Sequence, residues 1–186
     1  MMARMSDAIT IRTVDRFDEP AFAELVRDLL WEPDRREVGE RLFGVGQTTP
    51  PASGARQVRV GAFDRDELVG WSHAWIAPGG HLHVGNSAVV PRLRRQGVYT
   101  RLVSAIEDEA RSLHCVRIES HHRAANSAVL IAKLKAGYTI VGTEFTTEMG
   151  LLVKMAKQLD ERRDAVFHAR AGVLEGSARF FSMPAR

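Results

Sequence analysis

The chain has 186 residues, 45% hydrophobic and 26% charged, which suits one domain with its own core and at most a small appendage. A formal net charge of +3 is too weak to call for a nucleic-acid partner, and arginine forks favour contacts with phosphate or carboxylate wherever they cluster. The single cysteine, Cys115, excludes an internal disulfide framework and reads as a buried small hydrophobe.

Residues 9–14 (ITIRTV) alternate and are β-branched, predicting a first strand. Asp18-Glu-Pro opens a helix in which Phe22, Leu25, Val26, Leu29 and Leu30 form an apolar stripe. A second short helix is expected within residues 31–44, then a Gly/Pro/Ser/Thr-rich loop over 46–56. QVRVGAF and ELVGWSHAWI, joined through Asp64-Arg-Asp, predict a hairpin, and APGG turns the chain into a third antiparallel strand, HLHVGNSAVV.

A helix follows with Leu102, Val103, Ile106 and Ala110 on one face, so the next strand, CVRIES, is expected parallel to its predecessor. HHRAAN reads as a loop, residues 127–136 as a helix stopped by Gly137, and YTIVGTEF with GLLVKMA as closing strands. The expected fold is α/β: a mixed, mostly antiparallel sheet flanked by helices. Residues 1–157 are expected to form the domain and 158–186 a partly helical extension that caps the sheet or reaches a partner subunit, a homodimer being one arrangement. The start, MMARMSDAIT, lacks the apolar core of a signal peptide, and no apolar run approaches the ~20 residues of a membrane span. A cytoplasmic protein without membrane or nucleic-acid partners is the expectation.

The most telling stretch is VVPRLRRQGVYTRL, from residue 89 to 102. A strand ends at a proline, arginines crowd one glycine, and a helix starts at once. A helix N-terminus carries unpaired N–H groups and about half a positive charge, so an anion is expected there. Pro91 ends the strand's pairing, which leaves the backbone of Val89 and Val90 open to an extended ligand. There is neither a G-K-[ST] after the glycine nor a G-x-G-x-x-G.

Arg94-Arg-Gln-Gly97-Val-Tyr99 resembles the R/Q-x-x-G-x-G/A signature of the GNAT acyltransferase superfamily. Asn126 followed by SAVLIAKLKAGYTIVG resembles that family's N-x-x-A-x-x-L-Y-x-K-x-G-F block, with Asn126, Lys135, Gly137 and Tyr138 in register. The resemblance implies a sheet splayed between its fourth and fifth strands and acetyl-CoA as cosubstrate in the cleft. It also implies the cofactor contacts: the pyrophosphate on the turn from Arg94 and Arg95 through Gln96, Gly97 and Val98 to Tyr99, the pantetheine along Val89 and Val90, and Asn126 near the thiol arm. The activity implied is transfer of the acetyl group to a primary amine of a small molecule or protein. The alternative is a GNAT-fold module that holds acyl-CoA without turnover. Two positions depart from the pattern: Tyr99 stands where Gly or Ala is usual, and Lys133 where many members keep a tyrosine that protonates the leaving thiolate.

Transfer from a thioester to an amine needs a base for the ammonium, a donor for the oxyanion and a proton for the thiolate. His81 and His83 share one face of a strand by its period of two. His83 is a candidate base, and so are Glu119 and His122 near the end of the fifth strand. Trp71 and Trp75 share a strand face and read mostly as core. Trp75 is also, with Trp31 and His81, a candidate for lining the acceptor pocket. His81, His83, His121 and His122 could be taken for a metal set, but strands that splay apart argue against it, and no metal is expected.

Overall fold

The computed structural model describes residues 9–30, 54–147 and 149–170. In chain order they form β1 (Ile9–Thr13), α1 (Ala21–Leu30), β2 (Gln57–Asp64), β3 (Glu67–Ala77), β4 (His81–Val89) and a 3₁₀ turn (Pro91–Leu93). There follow α2 (Val98–Ser112), β5 (Arg117–Arg123), α3 (Ser127–Lys135), β6 (Thr139–Thr146), β7 (Gly150–Gln158) and α4 (Glu161–Arg170). The second helix and loop expected over residues 31–53, together with Trp31, lie outside the described residues.

The strands make one seven-stranded sheet in the order β1-β2-β3-β4-β5-β7-β6. Every neighbouring pair is antiparallel except β4 and β5. That exception follows from α2, a crossover helix that returns the chain to the edge from which it left. The β2–β3 hairpin turns on Arg65, with φ of +56°, and the β3–β4 hairpin on Gly79 and Gly80, with φ of +92° and +74°.

The core lies between one sheet face and α2. The helix buries Val98, Leu102, Val103, Ile106 and Ala110 at helical spacing. The sheet answers with Val60, Val69, Ala74, Leu82, Ile118 and Met155, all fully buried. On the opposite face, Phe22 of α1 meets Trp71 edge-on at 5.2 Å and stacks on Phe17 at 4.2 Å.

Two boundaries differ from the sequence expectation. β5 starts at Arg117 and runs through His121, His122 and Arg123, where the sequence predicts a loop; each of these pairs across β7, His121 with Lys154 and Arg123 with Leu152. α3 is capped by the Asn126 side chain, whose Oδ1 accepts from Val129 N at 3.3 Å. α4 begins just past β7 and buries Ala165, while residues 171–186 lie outside the described residues.

Candidate active site

The site begins where β4 and β5 part. They pair at only three steps, Leu82 with Ile118, His83 with Glu119 and Val84 with Ser120. Beyond these β4 stays with β3, and β5 stays with β7. The parting starts at a bulge: Ala74 pairs with Val84 and His73 with Asn86, so Gly85 is the extra residue. Glycine leaves room for the indole here: a Cβ would stand 2.6 Å from Trp75 Cη2 and closer still to Cζ3, so a larger residue must displace the ring or the strand. Past the bulge, Trp71 Nε1 donates to Asn86 Oδ1 at 2.7 Å, and the Ser72 and Ser87 hydroxyls lie 2.8 Å apart. These bonds fix β4 to β3 while its other edge is open.

Val90 N–H donates to Val69 O at 2.9 Å. By the alternation of an antiparallel ladder, Ala88 then also faces β3, and the N–H and C=O of Ser87 and Val89 face the cleft. The Val89 carbonyl accepts from Arg94 Nε at 3.0 Å. The backbone at Val89 and Val90 is therefore less open than the sequence implied. Val90 N–H is committed to β3, and the Val89 amide is the donor that faces the cleft.

The turn ahead of α2 has an open backbone. Gly97, the N-cap of α2, has φ of +83° and makes no side-chain cap bond, so the first-turn amides of α2 stay open. Arg95 is also left-handed, with φ of +62°, and nothing lies within 4 Å of where a Gly97 Cβ would be. Gln96 Nε2 donates to Arg92 O at 2.8 Å and closes the turn. Val98 is buried and Tyr99 packs against the core, so at both positions only the backbone is turned to the ligand space.

The sheet face toward α1 collects the acceptor-side candidates. Glu119 Oε2 lies 3.2 Å from His81 Nε2, and its Oε1 lies 2.9 Å from Arg117 Nη2. The His83 ring sits 4.7 Å from Trp75 and 5.2 Å from His121. Burial, then electrostatic coupling to the nearby His121 and His81 rings, push the His83 pKa down to about 4. Burial and then Lys154 lower that of His121 as well. Both rings are thus held neutral at neutral pH.

His122 is not part of this group. It follows Ile118 and Ser120 on the opposite face, with Nε2 2.9 Å from Ser120 Oγ. Burial and Lys133 drive its pKa to about 3. His81, His83 and Glu119 are brought together; His122 is turned away from them. Gly85, at the bulge where the strands part, is a position that sequence reasoning does not single out, although a glycine breaking an alternating strand is the usual signal of a bulge. Among the described residues no group of three or more His, Cys, Asp or Glu could hold a metal ion.

A sheet parted beside an open helix N-terminus defines a class: an N-acyltransferase fold that takes a phosphate-bearing acyl carrier into the wedge. The sequence profile of the Acetyltransferase (GNAT) family matches residues 23–137. The aminoglycoside N(6')-acetyltransferase type 1 of Klebsiella aerogenes is 31% identical over 148 residues, spanning 74% of this chain and 93% of that protein. Among solved structures, the ribosomal-protein-S18-alanine N-acetyltransferase of Escherichia coli superposes with a TM-score of 0.61 at 18% identity, covering 82% of this chain and 94% of that one. An aminoglycoside 6'-N-acetyltransferase complexed with coenzyme A superposes with a TM-score of 0.57 at 21% identity, covering 81% and 97%. The chain belongs to the GNAT acetyltransferase family. It is an acyl-CoA-dependent N-acyltransferase with acetyl-CoA as cosubstrate. Among the described residues no helix is long and apolar enough to cross a membrane.

Proposed function

We propose that this enzyme transfers the acetyl group of acetyl-CoA to a primary amine of a small aminosugar-type acceptor, by direct attack in a ternary complex. The observation that carries the reading is the wedge beyond Val84 and Ser120, with an open α2 N-terminus at one end and the His81–Glu119 pair at the other. The pyrophosphate is assigned to the amides from Arg95 to Tyr99, with charge from Arg94 and Arg95. The pantetheine is assigned to the cleft edge at Ser87 and Val89, with the Asn126 amide nitrogen near the thiol arm. Val89 N–H is the oxyanion donor in this reading.

Glu119 takes the proton of the acceptor ammonium, directly or through His81 or water, since it is the carboxylate on the cleft face beside the parting strands. His83, with its low proton affinity, serves as a hydrogen-bond acceptor and wall, not as the base. An aminosugar suits this wall: its apolar ring face fits Trp75, and its hydroxyls and amines fit neutral imidazoles and a carboxylate. Similarity to an aminoglycoside 6'-acetyltransferase supports the same class.

The test is thiol release from acetyl-CoA with three acceptors: an aminoglycoside bearing a 6'-amine, the same scaffold with a 6'-hydroxyl, and an alanine-terminated peptide. Turnover confined to the first supports the reading. Turnover confined to the peptide, or with none of the three, defeats it.

A further inference from the structure

One side-chain amide on β4 has its orientation fixed by the chemistry of its neighbour. Trp71 is fully buried, and its Nε1–H donates to Asn86 Oδ1 at 2.7 Å. An indole nitrogen only donates, so the atom it meets must be the amide oxygen. The NH2 group of Asn86 is therefore directed away from that bond, and among the described residues its two N–H donors meet no hydrogen-bond partner. Asn86 is half-buried, and the buried polar atoms without partners are Glu107 Oε1, Arg117 Nε and the Tyr138 hydroxyl, so the Asn86 donors reach open space.

The register puts this amide on the acceptor side. Trp75 pairs with His83 and His73 with Asn86, the bulge at Gly85 absorbing the extra residue of β4. Trp71, His73 and Trp75 alternate along β3, and Trp71 meets Phe22 of α1, so their partners His83 and Asn86 lie on the face toward α1. Asn86 is past Val84, the last residue of β4 that pairs with β5, so it stands where the wedge is already open. Two rungs of β3, about 7 Å, separate His83 from Asn86. That is close to the span of two hydrogen bonds of about 2.8 Å that meet at one oxygen.

His83 supplies the opposite polarity. Its ring lies against Trp75 and His121, and among the described residues neither of its nitrogens has a hydrogen-bond partner. Burial keeps the ring neutral, so one nitrogen is an acceptor. His73, which faces Asn86 across the ladder, is engaged elsewhere, its Nε2 lying 3.1 Å from Gln57 Oε1. A donor pair and an acceptor at this separation match a ligand group that accepts and donates at a single atom, which is a hydroxyl.

We propose that Asn86 and His83 together bind a hydroxyl of the acceptor beside its reactive amine, with Asn86 Nδ2–H donating to the hydroxyl oxygen and the His83 imidazole accepting from the hydroxyl hydrogen. The inference rests on the transfer reaction proposed above and narrows its acceptor to an amino alcohol. A site of this kind discriminates strongly, because an acceptor without the hydroxyl displaces water and leaves a fixed amide and an imidazole unpaired. The bond from Trp71 holds the amide so that its donors, and not its oxygen, are presented.

The experiment uses two acceptors, an aminoglycoside bearing a 6'-amine and its 4'-deoxy counterpart, and follows thiol release from acetyl-CoA. Wild type is expected to favour the hydroxylated acceptor at least tenfold in kcat/KM. Asn86→Asp keeps an oxygen for Trp71 and removes both donors, and Asn86→Leu removes both functions. Each is expected to bring the ratio between the two acceptors to within threefold of unity, while the calorimetric Kd for coenzyme A stays within twofold of wild type. The two acceptors carry the same charge, so the added carboxylate of Asn86→Asp cancels from the ratio. A ratio that survives in Asn86→Asp or in Asn86→Leu makes Asn86 a tie between strands alone and overturns the assignment. Lost discrimination matched by weaker coenzyme A binding, or a wild-type ratio under tenfold, overturns it too. A wild type inert toward both acceptors overturns the transfer reading as well, whereas an active wild type indifferent to the hydroxyl overturns this inference alone.

Discussion

His83 and Glu119 stand opposite each other in the parallel ladder of β4 and β5, one step before that ladder ends at Val84 and Ser120. The last paired rungs carry the groups proposed to face the acceptor, and the cleft opens at the first unpaired residues. Chemistry and opening are thus set by the same local event. Glu119 is further pinned by His81 and Arg117. Replacing it with glutamine keeps the shape and removes the negative charge. Glu119→Gln is expected to lower kcat/KM for the amine by roughly 100-fold while the calorimetric Kd for coenzyme A stays within twofold. His83→Asn is expected to cost only about tenfold, since a ring with a pKa of about 4 is a poor base at neutral pH. The reverse ranking would move the base from Glu119 to His83.

The buried imidazoles set the response of stability to acid. His73 and His83 have pKa values near 4, and His122 near 3, each lowered first by burial from the ordinary 6.5. In the unfolded chain they titrate near 6.5, so below that pH the unfolded chain binds more protons than the folded one. Stability is complete above about pH 6.5 and is lost as pH falls toward 4. Scanning calorimetry is expected to show Tm falling by roughly 5–10 °C from pH 7 to pH 4.5. His122→Gln should flatten the slope, because it removes the group with the lowest folded-state proton affinity. A flat Tm over this range, or an unchanged slope in the variant, would contradict the burial argument.

Much of this arrangement is legible in the sequence, and what is not has physical causes. β1 to β4 and α2 follow from period-two and period-3.6 patterning. The open turn ahead of α2 follows from one glycine among arginines ahead of a helix. The end of β5 is hidden because His121-His122-Arg123 has no apolar alternation: one of its faces lines an open cleft, and its order comes from β7, about 30 residues further on. The commitment of Val90 N–H to Val69 O and the return of Arg94 to the Val89 carbonyl are long-range or side-chain choices that spacing does not encode. Lys133 could be seen to break a pattern, but not to be buried without a counter-ion, because that depends on Lys157 having taken Glu107.

At Gly97 a side chain meets no neighbour, so the cost of substitution is conformational, arising from φ of +83°. Gly97→Ala is expected to lose about 1 kcal/mol of stability and to weaken coenzyme A binding by at least tenfold, because the left-handed cap positions the first α2 amides. A Gly97→Asn variant, which tolerates the left-handed region better, should recover part of the stability. The measurements are a urea midpoint and a calorimetric titration. Coenzyme A affinity equal to wild type in Gly97→Ala would remove the anion from this turn.

Gly85 presents the opposite situation, since its φ is not left-handed and the obstacle is a neighbour. A Cβ there would press into the Trp75 ring, which also lies 4.7 Å from His83 and 6.0 Å from His73. Gly85→Ala must therefore push Trp75 out of its seat or straighten the bulge. If Trp75 moves, the acceptor wall is damaged while the anion turn, more than ten residues further along the chain, is not. The expected outcome is a fivefold or greater rise in KM for the amine, an unchanged KM for acetyl-CoA and a shift in tryptophan fluorescence. Adding Trp75→Leu makes room for the methyl group, so the double variant should show a smaller additional cost from the alanine than the single variant does. If the two substitutions are additive, Trp75 does not rest on Gly85. If the alanine instead weakens acetyl-CoA binding, the bulge is what holds β4 away from β5, and its straightening has closed the wedge.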